Sequence, residues 1–157
     1  MKPMPENERL QLIVEAVKYC QSVSMRGMPI SCYTKALREP VYFLWESYGR
    51  NKSQAAKYCS ASYLQTHGGG KYRIYDHAIP FKIVQSSLLR LDAPDPDSVR
   101  QILESQLVAC LITKEEDKQL TSLGLRSRMP EGSDESNCLA RYELAGIKVV
   151  PNPDYIK

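Results

Sequence analysis

The 157 residues are 43% hydrophobic and 25% charged, an ordinary globular balance that excludes global disorder and suffices for one domain with a continuous core. The formal net charge of +3 is compatible with a polyanionic partner without requiring one. Apolar runs such as 107–112 are too short to cross a bilayer, and residues 1–8 lack the apolar stretch of a secretory signal, so the chain is expected to be soluble and cytoplasmic with no membrane partner.

Along the chain, the first expected element is a helix over 6–23. Leu10, Ile13, Val14, Val17 and Cys20 recur at three- and four-residue steps and form one apolar stripe. Ser24 to Pro29, with Gly27, breaks it. Residues 33–48 read as two short helices meeting at Pro40, because proline fits a first helical turn better than an interior. A third helix is expected over 53–65, capped by Asn51 or Ser53 and ended by Gly68-Gly69-Gly70. Lys71 to Tyr75 then alternates in the manner of a strand.

Pro80 opens an expected helix reaching Leu91. A stiff 92–96 connector follows, and Asp97 is placed to cap a helix ending near Gln106. Residues 107–112 read as a buried strand. Thr113 and Glu116 form a capping-box pattern at the head of a helix that Gly124 stops. Residues 126–138 form a polar loop, 139–145 a last helix ended by Gly146, and 147–150 a short strand.

The five cysteines, Cys20, Cys32, Cys59, Cys110 and Cys138, are scattered and include no CxxC pair. They predict neither a zinc knuckle nor a disulfide scaffold, and reduced cysteine then acts as a small core residue. Gly-x-Ser-x-Gly, HExxH, EF-hand and GxGxxG patterns are all missing, which removes those hydrolase, calcium and dinucleotide classes. The triple glycine lacks the Lys-Ser/Thr pair of a phosphate-binding loop.

Only His67 and His77 supply imidazole. His77 follows Asp76 at a strand end and precedes Pro80. Strand followed by Asp-His-x-x-Pro resembles the opening of the HNH or His-Me finger nucleases, over about residues 71–124. The elements in chain order give an α+β fold: a helical N-terminal half, about 6–66, followed by a small region with short strands and packed helices over about 71–150, which the resemblance makes ββα-like. Both lie in a single domain, 1–157. The resemblance also implies a metal-dependent nuclease, of the kind found among toxins and defence effectors, hydrolysing phosphodiester bonds in DNA or RNA. His77 would be the general base and Asp76 a ligand of a divalent metal ion, Mg or Mn. That family's second half supplies a histidine or asparagine ligand. Here Glu116 or Asp117 would have to replace it, and two expected helices lengthen the separation.

The chemistry is coherent, since histidine titrates near neutrality and hard cations prefer carboxylate oxygen. Lys71, Arg73 and Arg141 are the expected phosphate contacts, and Arg126 and Arg128 offer a further basic set. Basic and aromatic residues also interleave at Arg50, Lys52, Lys57 and Tyr58, and at Lys71, Tyr72, Arg73 and Tyr75.

Blander readings stand beside these. Asp76-His77 can be a polar strand end before a helix-starting proline. The capping box accounts for Glu116 without a metal, and Asp117 reads as a solvated helix residue. Ten tyrosines against two phenylalanines also suit a protein interface. The alternative is therefore a non-catalytic binding or inhibitor protein, phage or mobile-element in type, acting on a protein partner through a tyrosine-rich surface. A third option is a metal-independent ribonuclease in which His67 and His77 converge.

Overall fold

The structure is a computed structural model, and it describes residues 2–66 and 73–157. His67, the triple glycine, Lys71 and Tyr72 lie outside the described residues. In chain order the elements are α1 (Glu6–Met25), a 3-10 turn (Ile30–Cys32), α2 (Thr34–Val41), a π-helical turn (Tyr42–Glu46), α3 (Lys52–Ala55), β1 (Tyr58–Ser60), α4 (Ala61–Gln65), β2 (Arg73–His77), α5 (Phe81–Leu89), α6 (Pro96–Gln106), β3 (Ala109–Thr113), α7 (Lys114–Ser122), α8 (Ala140–Leu144) and β4 (Val149–Pro151). The fold class is α+β, as the sequence predicts. Among the described residues no helix is long and apolar enough to cross a membrane.

Two compact units emerge, each built from two stretches of chain. The helical unit combines Met1–Gly49 with Phe81–Glu104, and the sheet unit combines Arg50–Pro80 with Ser105–Lys157.

In the helical unit, α1 buries Leu10, Ile13, Val14, Val17 and Cys20, the stripe expected from their spacing. Leu37 and Val41 of α2, Val84 and Leu88 of α5, and Val99 and Leu103 of α6 complete its apolar interior. The Gln21 amide donates to the carbonyls of Leu89 and Leu91 at 3.1 and 2.7 Å, tying the end of α5 to α1. Pro40 does not separate two helices. It sits near the end of α2, and the chain continues into the π-turn, where the Ser47 N–H reaches the Tyr42 carbonyl at 2.8 Å. The widened turn follows directly on the donor that proline lacks. Asp95, not Asp97, caps α6: its carboxylate accepts the Ser98 N–H at 2.8 Å, which holds the Asp95 carboxyl below its ordinary range.

The sheet unit contains a four-stranded sheet in the order β2-β3-β1-β4. β1 runs parallel to β3, while β2 is antiparallel to β3 and β4 antiparallel to β1. The single helix expected over 53–65 is instead α3, β1 and α4. Asn51 caps α3 through a full capping box with Gln54, but Ala56 turns to extended geometry, and Ser60 then caps α4. Tyr58, Cys59 and Ser60 become a strand because β3 and β4 pair with them from far along the chain.

Strand side chains alternate between faces. Ile74, Cys110 and Ile112 pack on one face with Leu120, Leu125, Tyr142, Ala145 and Ile147. Cys59, Ala109 and Leu111 pack on the other with Ala56, Tyr63 and Tyr75. The Thr113/Glu116 capping box opens α7 as expected. Gly124 and Gly146 follow α7 and α8 with φ near 70°, the left-handed geometry that ends a helix.

Candidate functional site

β2 places the two residues of the Asp-His pair on opposite faces of the sheet. Asp76 stands across from Cys110 and His77 across from Ala109, so alternation sends the carboxylate toward the α7–α8 side. The imidazole takes the side of Tyr75, with ring centroids 5.7 Å apart and planes at 88°. Asp76 and His77 therefore do not converge on one point, although both are half-buried at the same strand end.

On the first face, Asp76 Oδ2 accepts Arg141 Nη1 at 3.0 Å and the Tyr142 hydroxyl at 2.6 Å. The Arg141 side chain is 1% exposed. Nε donates to the Leu125 carbonyl at 2.6 Å, while Nη1 also donates to the carbonyls of His77 and Ala78 at 2.6 and 3.3 Å. Arg141, expected to hold phosphate, is thus an internal ligand of backbone carbonyls and of Asp76. Its fork of donors is what a buried β2 end needs, since unpaired buried carbonyls are costly. Burial, then the Asp76 charge, raise the Tyr142 hydroxyl well above its ordinary value and keep it a donor. Of the other basic residues near this end, Arg126 is exposed and Arg128 folds back on the Gly124 carbonyl at 2.7 Å.

Glu116 shares this face with Asp76. Burial, followed by the charge of Asp76 and further along that of Glu116, drives the Cys110 thiol strongly upward. Glu116 Oε2 accepts the Ser60 hydroxyl at 2.6 Å and the Thr113 N–H at 2.9 Å. Asp117 sits half-buried one residue on, in the first turn of α7. Among the described residues no group of three or more His, Cys, Asp and Glu is placed to hold a metal ion. A hard divalent cation requires several open oxygens. Here Asp76 Oδ2 and Glu116 Oε2 are taken by protein donors, and His77 lies on the opposite face.

The second face carries a different set. Arg73, Tyr75 and His77 alternate along β2 on one side, each half-buried. Arg73 donates to Ser53 Oγ, and the exposed Lys52 ammonium stands 5.8 Å from the Tyr75 ring centroid, within cation–π range. Two separate contacts therefore set α3 across the start of β2. The chain's +3 charge resides in the sheet unit, for acids and bases balance in the helical unit. Arg50, Lys52, Lys57, Lys71 and Arg73 occur with no Asp or Glu anywhere in residues 50–75.

The free cysteines behave mainly as expected. Cys20, Cys59 and Cys110 are buried and Cys138 half-buried, whereas Cys32 is exposed. Tyrosine is less of a surface residue than its number suggests, since Tyr33, Tyr63 and Tyr142 are buried. The Tyr142–Asp76 and Ser60–Glu116 contacts carried no sequence signal, because their partners lie 66 and 56 residues apart. No family model matches this chain, and no curated protein or solved structure matches it either.

Proposed function

We propose that this chain engages nucleic acid, DNA or RNA, through its sheet unit. The observation that carries this reading is the acid-free stretch from Arg50 to Tyr75, in which Lys52 stands over the Tyr75 ring and Lys57 over the Tyr58 ring. Lysine and arginine neutralise phosphates and release counterions, while tyrosine and histidine rings offer stacking platforms. A cytoplasmic location, where nucleic acid is within reach, belongs to the same reading.

The finer form of the proposal is phosphodiester hydrolysis with His77 as general base. Its support is connectivity: β2 and β3 are an antiparallel pair, and α7 follows β3 without a break, as the nuclease resemblance implies. His77 also stands at the end of β2, ahead of Pro80. The engagement of Asp76 and Glu116 in internal hydrogen bonds favours the second reading, a binding protein that does not hydrolyse.

One assay separates them. The full chain is incubated with plasmid DNA and total RNA, with Mg²⁺, with Mn²⁺ and with EDTA, while binding is followed on labelled oligonucleotides. Cleavage lost in His77→Ala, with folding intact, supports hydrolysis. Binding without cleavage supports the non-catalytic reading. Neither binding nor cleavage removes the proposal altogether.

A further inference from the structure

We infer that two copies of this chain pair antiparallel along the outer face of α1, which the helical interior leaves uncovered. α1 is apolar on two sides. Its core stripe is Leu10, Ile13, Val14, Val17 and Cys20. A second set, Leu12, Ala16, Tyr19 and Val23, recurs at steps of four, three and four residues, the spacing of a seam between paired helices. At about 100° per residue these four fall on one line, about a third of a turn from the centre of the core stripe. Leu12 is 39% and Tyr19 57% exposed, while Ala16 and Val23 are half-buried. Apolar residues scattered singly over a surface are ordinary, but four in one line at seam spacing form a contact face.

The charges bordering this line say what covers it. Glu8 and Glu15 flank its N-terminal half, and Arg26 stands at its C-terminal end, all three exposed. Neither glutamate makes an ion pair among the described residues. Arg26 Nη1 donates to the Ser22 carbonyl at 2.8 Å and to Ser22 Oγ, which lays the guanidinium back along the same edge. An edge that is acidic in its first half and basic at its end complements the same edge reversed. The surface therefore fits a second copy of itself.

In that arrangement the seam closes in layers, Leu12 against Val23 and Tyr19 against Ala16, each repeated by the twofold axis. The largest side chain of the line faces the smallest, as close packing requires. Glu8 of one copy then comes within reach of Arg26 of the other, and Glu15 within reach of Ser22. Parallel pairing would instead set Glu8 against Glu8 and Tyr19 against Tyr19, and such flanking charges decide orientation. One short seam is smaller than a permanent dimer interface, so association is expected at roughly 10–100 μM chain.

The test is sedimentation equilibrium of the full chain at low salt, from about 5 to 500 μM. The expected result is a monomer–dimer equilibrium that Tyr19→Lys weakens about tenfold or more and Tyr19→Phe retains, with far-UV circular dichroism unchanged. Glu8→Lys and Arg26→Glu should each weaken pairing, and the double variant Glu8→Lys/Arg26→Glu should restore it. A monomer throughout the range overturns the inference, and so does a dimer that Tyr19→Lys leaves intact. Failure of the double variant to recover what its two single variants lose overturns the antiparallel arrangement. Should Tyr19→Lys disturb the fold, the charge variants at their exposed positions decide alone.

Discussion

Arg141 Nη1 lies 3.0 Å from Asp76 Oδ2, joining residues 65 positions apart in the chain. The guanidinium is nearly fully buried and the carboxylate only 16% exposed, so neither charge is satisfied by water. Removing one partner of such a pair is worse than removing both. Arg141→Leu should therefore lower unfolding stability by about 3–5 kcal/mol, read from urea midpoints. The Asp76→Leu/Arg141→Leu double variant should lose less than the two single variants added together. A single-variant loss below about 1 kcal/mol would show that the guanidinium is not what holds the β2 end.

The Glu116 carboxylate joins two elements, because one oxygen takes both the α7 cap N–H and the Ser60 hydroxyl at the head of α4. Thr113→Ala should cost about 1 kcal/mol, the usual value of a helix cap, and Thr113→Ser should restore most of it. Glu116→Ala should cost more, about 1–3 kcal/mol beyond the cap, since it leaves buried Ser60 without its acceptor. Equal losses in Thr113→Ala and Glu116→Ala would mean that the Ser60 contact contributes nothing.

Stability should fall at alkaline pH. Burial raises the Tyr142 hydroxyl above its ordinary 10.0, and Cys20, Cys59 and Cys138 above their ordinary 9.0. Below those ordinary values both folded and unfolded chains hold these protons, and stability is insensitive to them. Above pH 9 to 10 the unfolded chain releases protons that the folded chain retains, so unfolding gains with each step of pH. Tyr142→Phe should flatten this limb while lowering stability at pH 7 through loss of the bond to Asp76. An unchanged alkaline slope in Tyr142→Phe would assign the limb to the cysteines alone.

Gly146 ends α8 at φ near 70° with open space around the position of a side chain. Gly146→Ala should then be destabilising by backbone conformation alone, by about 1–2 kcal/mol, and Gly146→Asn by less, since asparagine tolerates this region. Thermal midpoints would check the order. Alanine no worse than asparagine would place the cost elsewhere.

The readable parts of this protein are those governed by neighbours in sequence. The α1 stripe from Leu10 to Cys20, the Thr113/Glu116 box, the glycine stops after α7 and α8, and β2 and β3 each follow from residues within one or two turns of each other. The mixed α+β class was legible for the same reason. β1 was not. Its three residues are extended because Cys110, Leu111 and residues 149–151 supply backbone partners, and no local pattern announces a partner fifty or more positions away.

The same limit governs the candidate site. The sequence determined by itself that Asp76 and His77 close a strand, and that Lys52, Arg73 and Tyr75 belong to an acid-free stretch. Only tertiary structure decided that the carboxylate turns inward to Arg141 and Tyr142 while the imidazole shares the opposite face with Tyr75. The physical reason is that a strand's two faces are equivalent until helices and neighbouring strands cover them, and that covering depends on contacts made across the whole chain.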